Sequence, residues 1–138
     1  MHAHWSHFTH EADIGVRGYG NTLAAAFEQA ALALTAVITD LENINPDVDI
    51  EIDCQAEDPE VLFVDWLNAI IYEMATRHLL FSVFDVSINH HTLHARCRGE
   101  LIDVAKHQPV VEIKGATYTE LAVTHNNADW MVQTIVDV

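Results

Sequence analysis

The side chains that could do chemistry in this chain are carboxylates and histidines near its two ends. Asp13 lies between apolar neighbours in the run His10-Glu11-Ala12-Asp13-Ile14-Gly15. A paired cation or a bound metal would offset the cost of burying its charge. Calcium and magnesium take several oxygen ligands, so carboxylates are the candidates for such an ion. Asp137 follows an apolar run at the other end, where from composition alone an acid is most often exposed.

Histidine and cysteine offer weaker candidates. Cys54 and Cys97 lie in alternating apolar runs, which favours buried free thiols over a disulfide or a nucleophile. The sequence contains no glycine-rich phosphate loop, nucleophile elbow or zinc-protease motif, so no catalytic set stands out. Imidazole binds zinc, nickel or copper, but the spacing of the N-terminal histidines matches no closed structural site. These histidines are His2, His4, His7 and His10.

Net charge narrows the classes of partner. The 138 residues include 21 Asp and Glu against 6 Lys and Arg, a formal net charge of -15. No Lys or Arg occurs between Gly18 and Thr76, and twelve acidic residues lie in that stretch. Binding to nucleic-acid phosphate or to an anionic membrane needs clustered Lys and Arg, so both are disfavoured. Cations and basic proteins are the partners that such a field attracts.

Half of the residues are hydrophobic, which suffices for the core of one domain spanning residues 1–138. Apolar residues recur at helical spacing in two segments and at every second position elsewhere. The helices are predicted to run from Asn21 or Thr22 to about Ile38, and from an Asp58 cap to near His78. The predicted strands cover residues 7–17, 48–54, 80–88, 92–101, 110–114, 117–124 and 130–136.

This order of elements predicts an α+β domain, with helices packed on an antiparallel or mixed sheet system. Asp49, Glu51 and Asp53 alternate with apolar residues on one predicted strand, about 7 Å apart. That spacing is too wide to share one ion, so we interpret them as a solvated face. No apolar run reaches the length of a membrane span, and the N-terminus lacks a secretory signal pattern. A cytoplasmic protein is therefore expected.

Five short motifs follow one another along the chain and are spread over most of its length. They are His10-Glu11-Ala12-Asp13-Ile14-Gly15, Trp66-Leu67-Asn68, Gly99-Glu100-Leu101-Ile102-Asp103 with Lys106-His107, Ile113-Lys114-Gly115-Ala116-Thr117-Tyr118, and Ile135-Val136-Asp137-Val138. In order and spacing, the set resembles the motifs of the archease family over residues 7–138. Three positions depart from the family pattern: Glu11 stands for Thr, Lys106 for Arg and Gly115 for Ala.

The resemblance implies a fold, a partner and a metal site. The fold that the resemblance implies is a sandwich of two small sheets flanked by two helices. They are not enzymes themselves; they promote guanylylation and multiple turnover of the GTP-dependent RNA ligase that seals tRNA halves. Carried over residue by residue, the resemblance implies that Asp13 and Asp137 bind a calcium-like divalent ion, with Val138 as a further oxygen donor.

The resemblance also implies residues that act on the ligase. The family's lysine falls on Lys114, for which contact with the ligase is expected. His10, Glu100 and His107 lie within the matching motifs and are further candidates for the partner surface. No direct high-affinity binding to nucleic acid is expected, since the chain is so acidic.

Other interpretations of the same residues remain open. A metal-dependent phosphoester hydrolase would use Asp13, His10 and Asp137, although few Lys and Arg are available to bind its substrate. A general protein chaperone would fit the acidic and hydrophobic composition. Lys114 has a simpler interpretation as a strand-face lysine paired with Glu112 or Glu120.

Overall fold

The computed structural model describes residues 2–138, so Met1 of the predicted 1–138 domain lies outside the described residues. The strands are β1 (His4–His10), β2 (Asp13–Gly20), β3 (Val48–Gln55), β4 (Leu79–Asn89), β5 (Thr92–Leu101), β6 (Gly115–Ala116), β7 (Ala122–Asn126) and β8 (Asp129–Asp137). The helices are α1 (Leu23–Ile38), α2 (Pro59–Arg77) and the short α3 (Val104–His107).

The strands form two sheets. In the larger sheet, β1, β2, β8 and β6 lie in that order, and β7 also pairs with β8. In the smaller sheet, β5 lies between β3 and β4. Every pairing is antiparallel. Together with the two long helices, this confirms the predicted α+β fold of two small sheets flanked by two helices.

Both long helices begin and end where the sequence indicates. The Thr22 hydroxyl accepts a hydrogen bond from the Ala25 N–H at 3.0 Å, which caps α1. Asp58 caps α2 by accepting from the Glu60 N–H at 2.8 Å, with proline in the first turn. The second helix ends at Arg77, and its C-cap His78 adopts the left-handed conformation typical of a helix end, with φ of 57°.

The hydrophobic core lies between the sheets and the two long helices. Trp66 of α2 is fully buried, and its indole Nε1–H donates to the Phe27 carbonyl of α1 at 3.1 Å. Full burial of one such large apolar side chain contributes about 1.5–3 kcal/mol. Other large, fully buried side chains are Phe27, Phe63, Phe81, Leu34, Leu62 and Ile70. Within residues 2–138, none of the helices has the length and hydropathy needed to cross a bilayer.

The first predicted strand proves to be a hairpin. β1 and β2 pair along their whole length, from His4 with Tyr19 to His10 with Asp13. Glu11 lies in the turn with φ of 55°, in the left-handed region that favours glycine. A single strand over residues 7–17 was wrong because no glycine or proline marks this turn, so the alternating pattern continues through it.

The region after β5 departs furthest from prediction. Residues 110–114 form no strand, and of the predicted strand over 117–124 only the end is extended, as the start of β7; β6 lies just before it. The four-residue α3 was not predicted. Burial nevertheless alternates residue by residue from Pro109 to Lys114, as it does along a strand. The sequence pattern thus reported side-chain burial correctly, but it carries no information on whether a partner strand is present.

The close approach of α1 to β2 gives a test of this packing. A Cβ on Gly18 would lie 2.3 Å from the Ala26 oxygen and 2.4 Å from the Ala30 nitrogen, both in the helix backbone. Gly18→Ala should therefore lower the free energy of unfolding in urea by about 1–3 kcal/mol. Gly115→Ala is the matched control, because its nearest atom would be 3.6 Å away. Equal losses in the two variants would contradict the packing described.

Candidate functional site

The register of β2 and β8 places the two predicted metal ligands side by side. The pairing ends at Ile14 with Val136, and extending the same register by one residue brings Asp13 opposite Asp137. Directly opposite residues of an antiparallel pair share one face, with Cβ atoms about 4.5–5.5 Å apart. Asp13 and Asp137 are therefore neighbours on one face, although they come from opposite ends of the chain.

His10 and Lys114 extend this arrangement on either side. His10 is paired with Asp13 across the turn of the β1–β2 hairpin. On the other edge of β8, Asp137 is paired with Gly115, and the Lys114 N–H donates to the Asp137 carbonyl oxygen at 2.8 Å. We name the set His10, Asp13, Asp137 and Lys114 the site row. Strand register thus brings His10, Asp13 and Asp137 next to one another, and a main-chain hydrogen bond ties the backbone of Lys114 to Asp137.

The two carboxylates of the site row have no ion-pair partner among residues 2–138. Among residues 2–138, neither Asp13 nor Asp137 makes a side-chain hydrogen bond or an ion pair. Asp13 is half-buried and Asp137 is exposed. Like charges that lie directly opposite each other destabilise a strand pair by about 0.2–1 kcal/mol. A bound cation would remove this repulsion. The chemical capacity of the arrangement is therefore to bind a cation between the two carboxylates.

The donor set fits a hard cation only with help from the main chain. No group of three or more His, Cys, Asp or Glu side chains within residues 2–138 is arranged to hold a metal ion. Beyond the two carboxylates, the ligands would have to be waters and main-chain oxygens, such as that of Val138. Calcium accepts this kind of mixed oxygen set, whereas zinc prefers nitrogen and sulfur. An oxygen-only set of this kind would suit calcium, whereas a set that included His10 would suit a transition metal as well.

Lys114 carries an exposed ammonium on the residue next to Gly115, the strand partner of Asp137. Its side chain is exposed and makes no ion pair within the part of the chain that the structure describes. The simpler interpretation, a pairing with Glu112 or Glu120, is therefore not seen among these residues. The other lysine, Lys106, is bonded to Glu100 at 2.7 Å. Lys114 is thus the lysine available to an external anion.

Asn68 on α2 fixes the strand next to the site row, a role that the sequence analysis did not assign. Its Oδ1 accepts from the Ala116 N–H at 2.8 Å, and its Nδ2 donates to the Ala116 carbonyl at 3.4 Å. Ala116 is in turn paired with Val136 of β8. The sequence feature that could have indicated this role is the polar amide of Asn68 beside the apolar face of the predicted helix, directly after Leu67, because a buried amide needs hydrogen-bond partners.

Glu100 and His107 form a separate cluster on the smaller sheet and α3. Glu100 accepts hydrogen bonds from Lys106 Nζ at 2.7 Å, the Asn45 N–H at 3.0 Å and His107 Nε2 at 2.8 Å. The ammonium of Lys106 contributes most to lowering the pKa of Glu100 to about 2. His107 is buried, and its Nδ1 accepts from the Asp103 N–H. No described hydrogen bond or ion pair joins this cluster to the site row.

The acidic residues of β3 also lie away from the site row. Asp49 forms an ion pair with Arg96, and Asp53 is bonded to His94 at 2.6 Å, across the exposed face of the smaller sheet. The hydrogen bond to Asp53 raises the pKa of His94. These contacts agree with the interpretation of a solvated face. The basic residues on the neighbouring strand partly offset the negative charge of the acids on that face.

The two cysteines offer no nucleophile. Both are free, as expected, and Cys97 is buried. Burial raises the pKa of Cys97 to about 12 and that of Cys54 to about 11. The thiolate is the reactive form, so neither residue is activated for catalysis at neutral pH.

The hydrogen bonds and the ion pair of Glu100 should make part of the free energy of unfolding depend on pH in the acidic range. The pKa of Glu100 falls from 4.5 to about 2 in the folded chain, so its stabilisation is present above about pH 4.5 and is lost as the pH falls towards 2. Glu100→Gln should remove this component from urea unfolding measured between about pH 6 and pH 3. Glu57→Gln, at an exposed carboxylate, should leave it in place. Equal pH profiles for wild type and Glu100→Gln would contradict the assignment.

Comparison with known proteins gives matches along almost the whole chain. The model of the archease protein family matches residues 5–138. The protein archease of Pyrococcus furiosus is 37% identical over 139 aligned positions, which cover 97% of this chain and 98% of the relative. That of Sulfolobus acidocaldarius is 36% identical over 133 positions, covering 95% and 96%.

Solved structures agree with this relationship. The solution structure of protein 1598 of Methanobacterium thermoautotrophicum superimposes with a TM-score of 0.86 at 28% identity, covering 97% of this chain and 98% of that one. A crystal structure from Thermotoga maritima, described as an archease and possible chaperone, gives a TM-score of 0.57 at 21% identity, covering 95% and 94%, a likeness of fold alone. On the family match and the identities to its curated relatives, the chain belongs to the archease family.

Proposed function

We propose that this archease is a non-enzymatic, divalent-cation-binding activator of a GTP-dependent 3′-phosphate RNA ligase. It promotes guanylylation of the ligase and its multiple turnover in tRNA splicing or RNA repair. The observation that carries the proposal is the site row, in which strand register brings together two carboxylates that no side chain of residues 2–138 pairs with, near the exposed Lys114. Membership of the archease family supports it.

Asp13 and Asp137 hold the ion, calcium by preference. Their carboxylates are set on adjacent strands, and Val138 supplies a main-chain oxygen next to Asp137. When bound, the ion supplies a fixed positive charge at the end of the larger sheet. The two strands keep the carboxylates together whether or not the ion is present, so little rearrangement accompanies binding.

Lys114 contacts the ligase beside the ion. Its N–H is fixed to the Asp137 carbonyl, which holds the backbone while the ammonium reaches outward. An ammonium is a compact, strongly hydrated charge that binds phosphate or carboxylate oxygens. Placed next to the carboxylates of the site row, it recognises an acidic group or a bound nucleotide phosphate on the ligase.

The distribution of charge favours action through a protein over direct contact with RNA. The formal net charge is -15. Four of the six Lys and Arg residues are ion-paired to acidic side chains, namely Arg77, Arg96, Arg98 and Lys106. Clustered free cations, which phosphate binding requires, are thus lacking in the described chain. The same shortage disfavours a phosphoester hydrolase built on Asp13, His10 and Asp137.

Calcium should reverse the effect of neutralising one carboxylate. With EDTA, Asp13→Asn should raise the free energy of unfolding by about 0.2–1 kcal/mol, because it removes repulsion from Asp137. With saturating calcium the wild type should become the more stable, because the ion binds only its folded state. Asp65→Asn on α2, at an exposed carboxylate, is the matched control and should show no reversal. Thermal melts that keep one order in both conditions would rule out the ion site.

The activation itself is tested with the purified ligase of the same organism under multiple-turnover conditions. The wild-type archease should stimulate guanylylation, and Asp13→Asn, Asp137→Asn and Lys114→Ala should each reduce the stimulation about tenfold or more while the fold survives. Asp65→Asn should act as wild type.

Each alternative has its own outcome. Failure of the wild type to stimulate would refute the proposal, and full stimulation by all three site-row variants would remove the row from the mechanism. EDTA-sensitive hydrolysis of a generic phosphoester by the archease alone would favour a hydrolase. Suppression of aggregation of unrelated proteins would favour a general chaperone.

A further inference from the structure

An apolar groove lies between the end of α2, the start of β4 and residues 109–113. Its volume is about 530 Å³. Val110 on its rim is 76% exposed and Ile102 is 37% exposed. Leu101, next in the chain to Ile102, is 64% exposed. Exposed apolar residues around a groove are typical of an interaction site. Its floor includes Ile71, Met74, Leu79 and Ile113.

One wall of the groove is a strand-like segment, residues 109–114, that has no partner strand. Side-chain burial alternates along it, as in a strand. Main-chain hydrogen bonds from the N–H groups of Val110 and Lys114 fix its two ends. Between them, no backbone N–H or C=O of residues 111–113 is hydrogen-bonded within the described chain. Such an edge is a template for pairing with an extended peptide.

The charges around the groove decide what kind of segment fits. Glu112 lies on the groove lining, is exposed and has no ion pair among residues 2–138. A Lys or Arg on the incoming segment would pair with it. A second copy of this chain is a poor occupant, because two molecules that each carry -15 repel one another. The apolar floor calls for hydrophobic residues at alternate positions of the segment.

We propose that the groove binds an extended segment of the ligase by strand addition along residues 109–113, and this inference rests on the proposed function. The segment carries apolar residues at alternate positions and a basic residue opposite Glu112. Main-chain hydrogen bonds give the affinity, and the apolar floor gives the specificity.

The position of the groove explains why docking there serves the site row. Residues 109–113 lead directly into Lys114, and at the rise of a strand about 13 Å separates Val110 from Lys114. A ligase held in the groove is therefore close to the carboxylates of Asp13 and Asp137. The groove holds the ligase, and the site row acts on it.

Charge placed on the groove rim tests the docking. Val110→Asp, at an exposed position, should leave the fold intact and weaken binding to the ligase in calorimetry about tenfold or more. Stimulation at saturating archease should stay at the wild-type level, because the site row is unchanged. Tyr72→Asp is the matched control, since Tyr72 is 65% exposed on α2 and lies outside the groove lining. It should change the affinity less than about twofold.

Hydrogen exchange tests the strand pairing itself. The amides of residues 111–113 should gain protection when the ligase binds. Weaker binding by Val110→Asp without that protection would overturn strand addition in favour of side-chain contacts alone. Protection of the same amides in concentrated archease without ligase would identify a second copy as the occupant.

The remaining outcomes separate this inference from the proposed function. Wild-type affinity in Val110→Asp would overturn the groove, while stimulation by the wild-type archease would still stand. A wild type that neither binds nor stimulates the ligase would refute both.

Discussion

Strand β8 is hydrogen-bonded along both edges, to β2 on one side and to β6 and β7 on the other, and its register decides which residues meet at the site row. A slip of one residue would turn Asp137 to the face opposite Asp13. Hydrogen bonds that do not involve the site-row side chains stabilise this register. Asn68 bonds to Ala116, and the buried Thr134 hydroxyl donates to the Thr117 carbonyl. The chemistry proposed for the row is therefore a consequence of strand alignment.

The large negative charge of the chain selects a class of partner without marking the site. Much of it lies on β3 and neighbouring segments, where Asp49 and Asp53 face Arg96 and His94 across the smaller sheet. Asp13 differs from these acids because β8 sets another acid opposite it, while His10 on its other side makes no ion pair with it among residues 2–138. The proposed cation site rests on a pair of carboxylates without an ion-pair partner, not on a high local density of acids.

Most of the fold could be predicted because periodicity and capping are local properties. α1 and α2 have side-chain caps at Thr22 and Asp58, and their limits agree with the prediction. The β1–β2 turn was missed because Glu11 takes a glycine-like conformation without being glycine. The site was harder, since the meeting of Asp13 and Asp137 depends on register, and only a resemblance to known proteins linked them. Glu100 matched a family motif, yet its hydrogen bonds lie within the fold.

The most direct test of the central claim is the position of calcium in crystals of this chain grown with the ion, located by anomalous scattering. One ion is expected at the end of the larger sheet, with carboxylate oxygens of Asp13 and Asp137 at about 2.3–2.6 Å. Lys114 should lie beside it with its ammonium free. A calcium ion bound elsewhere, or a site row that stays empty at saturating calcium, would contradict the account.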